Sequence, residues 1–143
     1  MSRLQSQEAE GAATFVVSPE LKKEFERLAS GVSKSKGTVL FRRGDPVSGI
    51  FLIRKGKVNL ELDPASHAWS VRTLGPGSVA GLPATVSGAA YSLTAKVMVD
   101  SELGFISRRK MLKLLGSNPR LCLQAMEMVS QEISRMRSAV KNV

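Results

Sequence analysis

Between residues 38 and 106 the chain runs as short apolar stretches interrupted by glycine-rich turns, and this texture constrains the fold more than any other feature. Short alternating segments separated by turn residues predict an antiparallel sandwich or roll, because each strand buries one face and must reverse soon after. Strands are expected at residues 39–41, 50–54, 57–63, 70–74 and 103–106, with Leu93, Ala95, Val97 and Val99 alternating in a further one. Arg43-Gly44-Asp45-Pro46 and Gly75-Pro76-Gly77 read as turns, and Lys55-Gly56 reads as the two-residue loop of a hairpin. In the second arm of that hairpin, Val58, Leu60 and Leu62 are expected on the buried face, with Asn59, Glu61 and Asp63 on the wet one.

Helical periodicity brackets this region. Ser18 is placed to cap a helix opened by Pro19, with Leu21, Phe25 and Leu28 on one face and Gly31 as its stop. After Ser107, the residues Met111, Leu114 and Leu115 predict a short helix stopped by Gly116. Ser117 or Asn118 can then cap a long last helix that begins at Pro119. There Cys122, Val129, Met136 and Val143 recur every seven residues, interleaved with Met126, Ile133 and Val140, which are the d and a positions of a heptad pattern. Such a stripe needs cover. The helix's own domain is one candidate; a second copy is the other, and a seam sustained over three heptads favours a parallel homodimer.

The expected organisation is a lead-in at residues 1–17, a β-roll with short flanking helices at 18–116, and a dimerisation helix at 117–143. The whole is mainly β. With 143 residues there is material for one ordinary core. No apolar run is long enough for a signal peptide or membrane span, so a cytoplasmic protein is expected. One cysteine and one histidine, Cys122 and His67, cannot supply a clustered metal site. No nucleophile–base set, phosphate loop or dinucleotide glycine motif is present, which argues against an enzyme. His67, beside Trp69, reads as a surface residue, Cys122 as a buried thiol, and Asp45-Pro46 and Asp63-Pro64 as turn formers. The net charge of +9 favours anionic partners, although the cations are dispersed in small groups and read first as solvated surface.

The order of these elements resembles the cyclic-nucleotide-binding domain. The stretch from Gly37 to Val58 matches a familiar opening of that family, G-x-x-L-F-x-x-G-D-x-x-x-x-I-F-x-I-x-x-G-x-V. A roll followed by a short and then a long helix is similar to the effector half of catabolite-activator (CRP/FNR-type) bacterial regulators. The resemblance implies an antiparallel β-roll, a double-stranded jelly roll, with a ligand in a phosphate-binding cassette. In such a cassette a Gly-Glu pair holds the ribose and an Arg-Ser or Arg-Thr pair neutralises the cyclic phosphate.

The corresponding residues here are Gly81, Leu82, Pro83 and Ala84, followed by Tyr91 and Ser92. Leu82 stands in the glutamate position and Tyr91 in the arginine position, while Pro83 removes an amide where the family uses amides to cradle phosphate. Met136 and Arg137 occupy the base-reading positions of the last helix. Losing one partner of a buried charge pair costs about 2–5 kcal/mol, or roughly one and a half to more than three decades of affinity. A bound cyclic nucleotide is therefore disfavoured and no other cofactor is implied. Arg72 or Lys96, on nearby strands, are the candidates to replace the missing cation. The expected partners are a second copy and a small molecule different from cyclic AMP, with a docking scaffold whose pocket is empty as the alternative. The chain contains no helix-turn-helix, so direct sequence-specific DNA binding is not expected.

Overall fold

The computed structural model describes residues 18–62 and 70–141, with side chains described as far as residue 138. The expectations for His67, Trp69, Asp63-Pro64, the lead-in, the Val140 side chain and Val143 fall outside the described residues. Among these residues there are eight strands and four helices. In chain order they are α1 (Pro19–Leu28), β1 (Ser30–Lys34), β2 (Val39–Phe41), β3 (Gly49–Lys55), β4 (Val58–Glu61), β5 (Ser70–Leu74), β6 (Val79–Ala80), α2 (Leu82–Ser87), β7 (Thr94–Val97), β8 (Ser101–Ser107), α3 (Arg108–Ser117) and α4 (Pro119–Lys141).

The strands form two four-stranded antiparallel sheets, ordered β1-β8-β3-β6 and β2-β7-β4-β5. This is the expected β-roll, with one correction to its connectivity. Strands β3 and β4 lie in opposite sheets and do not pair, so Lys55-Gly56 is a corner and not a hairpin. Gly56 has φ 113°, and a Cβ there would stand 1.9 Å from the Ser101 hydroxyl oxygen, so the corner requires glycine. Periodicity alone cannot separate a hairpin from such a crossing, because both need a tight glycine turn between two apolar runs.

Two further details depart from expectation. Glu61, expected in water, is buried, because the register of β4 against β5 shifts between Leu60 and Glu61 and breaks the strict alternation. Val99 lies exposed beyond the end of β7. At the helix ends, α1 stops at Leu28 and α3 runs on to Ser117, so neither Gly31 nor Gly116 is the stop. Gly31 instead sits in β1 opposite Gly104. The Arg54 guanidinium lies over both glycines, 3.3–3.4 Å from where their Cβ atoms would be.

Two cores result. One fills the roll with Phe41, Leu60, Tyr91, Leu93 and Ala95 among others, and the other packs α1, α3 and α4 against the outside of the β3 sheet. Strand β3 serves both: Phe51 and Ile53 point into the roll, while Ile50 and Leu52 point into the helical layer.

The helices form as their caps predict. The Ser18 hydroxyl oxygen accepts from the Leu21 amide and its proton goes to Gln124 of α4. Ser107 accepts from Lys110 N–H at 3.2 Å, and Asn118 accepts from Leu121 N–H at 3.2 Å. Along α4, Leu121, Ala125, Met128 and Glu132 form the row turned to the rest of the chain, spaced so that they share one face. The heptad stripe lies about a quarter turn away from that row. Cys122, Met126 and Val129 are half-buried against the helical layer, while Ile133 is 42% exposed.

Candidate functional site

The segment expected to form the cassette is built around two conformational requirements. Gly81 has φ 92°, and a Cβ there would meet Tyr91 at 3.0 Å. Its carbonyl accepts from Thr85 through both the amide, at 3.1 Å, and the hydroxyl, at 2.8 Å. The residues after it wind into α2, a turn and a half of helix that the sequence reading missed because Pro83 and Gly88 look like loop punctuation. Pro83 falls in the first turn, where its lacking N–H goes unmissed.

Tyr91 is pinned. Its ring stacks on Phe41 with centroids 3.7 Å apart and planes 10° from parallel. Its hydroxyl donates to Gly49 C=O at 2.7 Å and accepts from the amides of Ser48 and Gly49, each at 3.1 Å. A side chain so engaged is part of the roll's core and has no proton left to offer a ligand. Leu82, in the glutamate position, turns the other way and packs into the helical layer.

What remains between cassette and last helix is a cavity of about 20 Å³, lined by Gly81, Pro83, Ala84, Tyr91, Ser92 and Leu93, by Phe41 and Leu60 from beneath, and by Glu132 and Met136 from α4. That is room for about one water molecule. Outside it lies an open apolar groove of about 680 Å³ between Leu62, Pro83, Ser92 and Leu93 on the roll and Ile133, Met136 and Arg137 on α4.

Of the residues singled out in the sequence, Gly81, Pro83, Ala84, Tyr91, Ser92 and Met136 line the cavity, and Arg137 lines the groove. Leu82, Arg72 and Lys96 are not brought to it. Lys96 falls on the opposite side of β7 from the buried Ala95 and Val97, so alternation turns it away from the core. Arg72 does face inward, opposite Leu60 in the ladder, but it meets α4 on the flank of Ser134, Arg135 and Ser138, away from the groove. Neither replaces the missing phosphate-binding arginine.

The residue the sequence reading missed is Glu132, 4% exposed. Burial pushes its carboxyl up to about 7, with the charge of Arg72 opposing that rise. Arg72 in turn is held below its ordinary value, by burial first and by Arg135 second, with Glu132 opposing. Its signal in the sequence was the row Leu121, Ala125, Met128, Glu132, which shares a face at helical spacing but is overshadowed by the neighbouring heptads. Among the described residues no group of three or more histidine, cysteine, aspartate or glutamate side chains could hold a metal ion, and no helix is long and apolar enough to cross a membrane.

A roll of two antiparallel four-stranded sheets with a cassette and a long helix across its mouth is a recurrent ligand-binding architecture. The profile of the cyclic nucleotide-binding domain matches residues 32–118, and this chain belongs to that family. It is 25% identical over 130 residues to the anaerobic regulatory protein of Bacillus subtilis, covering 90% of this chain and 55% of the relative. A protein of Rhodopseudomonas palustris that carries the name of a potassium channel is 29% identical over 101 residues, 71% of this chain and 22% of the relative. The chain thus spans about half of one curated relative and about a fifth of the other. In fold it is similar to the catabolite activator protein of Thermus thermophilus, with a TM-score of 0.73, 19% identity, and coverage of 87% of this chain and 59% of that one.

Proposed function

We propose that this chain is a ligand-sensing regulatory domain that has given up the cyclic phosphate and pairs with a second copy through α4. The observation that carries the first part is the cassette itself. Leu82 and Tyr91 are committed to the two cores, no cation lines the cavity, and the enclosed space is about 20 Å³. A cyclic nucleotide has neither room nor a counter-charge there. Isothermal titration with cyclic AMP and cyclic GMP at moderate salt is expected to give no saturable heat. One-to-one binding at micromolar concentration overturns this part.

Support for pairing comes from the α4 stripe, whose roll-distal members Ile133 and Met136 also line the groove. A ligand in the groove and a second helix on the stripe therefore compete for, or share, the same two side chains, which couples occupancy to how the helices meet. Sedimentation at tens of micromolar is expected to show a dimer that the Val129→Asp, Ile133→Asp double variant dissociates; a monomeric parent chain removes the pairing. The small closed cavity favours a second reading, a docking scaffold that binds no ligand at all, and ligand titrations of the groove decide between the two.

A further inference from the structure

The cavity that in this family faces an anion is lined here by an acid. Glu132 is the ionisable side chain among its lining residues with an altered titration, and only two influences act on it: burial, and the charge of Arg72. No hydrogen-bond donor among the described residues holds its carboxyl, and Arg72 approaches from the flank of Ser134 and Ser138, opposite the groove. On the groove side Glu132 meets Ser92, Pro83 and Met136, three residues that cavity and groove share with Leu93 apart from Glu132 itself. A buried carboxyl with no donor on one side is costly, and a ligand that supplies the donor recovers that cost on binding.

We infer that the groove takes a small molecule with an apolar body and a nitrogen donor head, an amine, whose N–H groups reach the Glu132 carboxylate. This rests on the ligand-sensing reading and specifies its ligand class. Leu62, Leu93, Ile133 and Met136 receive the apolar body; the cavity beneath admits one head atom in place of a water. The charge preference is opposite in sign to that of a phosphate site. Arg137 stands at the exposed rim, where solvent screens it, and so opposes an amine only weakly. The charged and titratable groups around Glu132 are Arg72 from β5, Arg135 on its own helix, Arg137 at the rim and the Tyr91 hydroxyl across the cavity. Because the carboxyl is raised towards neutrality, amine binding ionises it, and affinity rises with pH across that range.

Three probes of equal length separate charge from grease: hexylamine, hexanol and hexanoate, titrated into the full chain while the Met136 methyl resonance is followed. At about pH 8 hexylamine is expected to bind about tenfold more tightly than either other probe, the least that one hydrogen bond to a charged group provides. Glu132→Gln is expected to bring the three within about threefold of one another. The parent chain supplies a second measurement should the variant fold poorly: hexylamine binding is expected to weaken from about pH 8 to about pH 5.5 while hexanol binding stays level. Equal binding of all three probes, or a preference for hexanoate, overturns the amine and leaves a groove ligand standing. Movement of Met136 by none of them overturns both the amine and the ligand-sensing reading, and leaves the scaffold.

Discussion

The two halves of α4 meet the rest of the chain in different ways. The first half lays Leu121, Ala125 and Met128 into a dry core shared with Leu21, Phe25 and Ile106. The second half lays Glu132, Arg135 and Met136 over the mouth of the roll, where the contacts are charged, incomplete and next to open space. Dry packing fixes a helix in one place because every methylene moved leaves a void. A contact made of a buried acid and an arginine responds to pH and to whatever enters the groove. One helix thus carries an anchor and an adjustable end, and a ligand acts on the end without needing to dislodge the anchor.

The sharpest way to break this contrast is to weaken the anchor. Leu121→Ala removes a side chain that is 3% exposed and is expected to cost about 2–5 kcal/mol in chemical denaturation, with no dependence on pH. A loss below about 1 kcal/mol means the first half is not the anchor.

Next comes the adjustable end. The Glu132 carboxyl is raised from 4.5 to about 7 in the folded chain, so between those values the folded state holds more proton than the unfolded one. The penalty of ionising it is absent at low pH, grows as pH rises through that window and is complete above about 7. Stability measured against pH should therefore fall by on the order of 3 kcal/mol across the window relative to Glu132→Gln, which does not titrate. Parallel curves for the two proteins would show that the acid is not buried as described.

The smallest effect is expected under the groove. Tyr91→Phe leaves the ring on Phe41 but strips a partner from the amides of Ser48 and Gly49, at about 1–3 kcal/mol. The α4 anchor should be untouched, so amide exchange around Ala125 should slow or quicken only with global stability.

Much of the roll was legible because glycine turns and alternation act locally. Strands β2 and β5 fall where the sequence placed them, and the caps at Ser18, Ser107 and Asn118 follow from side-chain chemistry. Strand β1 was not legible. Its residues Ser-Gly-Val-Ser-Lys carry no apolar alternation, and it exists because β8 offers it a ladder. The partner of β3 was misread for the same reason: which sheet a strand joins depends on residues far along the chain.

In the site, the losses were readable and the gain was not. Leu82 and Tyr91 announce what is missing because they differ in kind from what the chemistry needs. Glu132 looked like one more charge on a helix, and only the packing of Leu121, Ala125 and Met128 shows which side of that helix is dark.

Strand β3 has a bearing on how the molecule comes apart. Its odd residues belong to one core and its even residues to the other, like a party wall between two houses. Neither house stands without it: stripping away the helices bares Ile50 and Leu52, and opening the roll bares Phe51 and Ile53. The roll and its helices therefore melt as one cooperative unit, and a fragment trimmed to the sheets alone would present a greasy outer surface and aggregate.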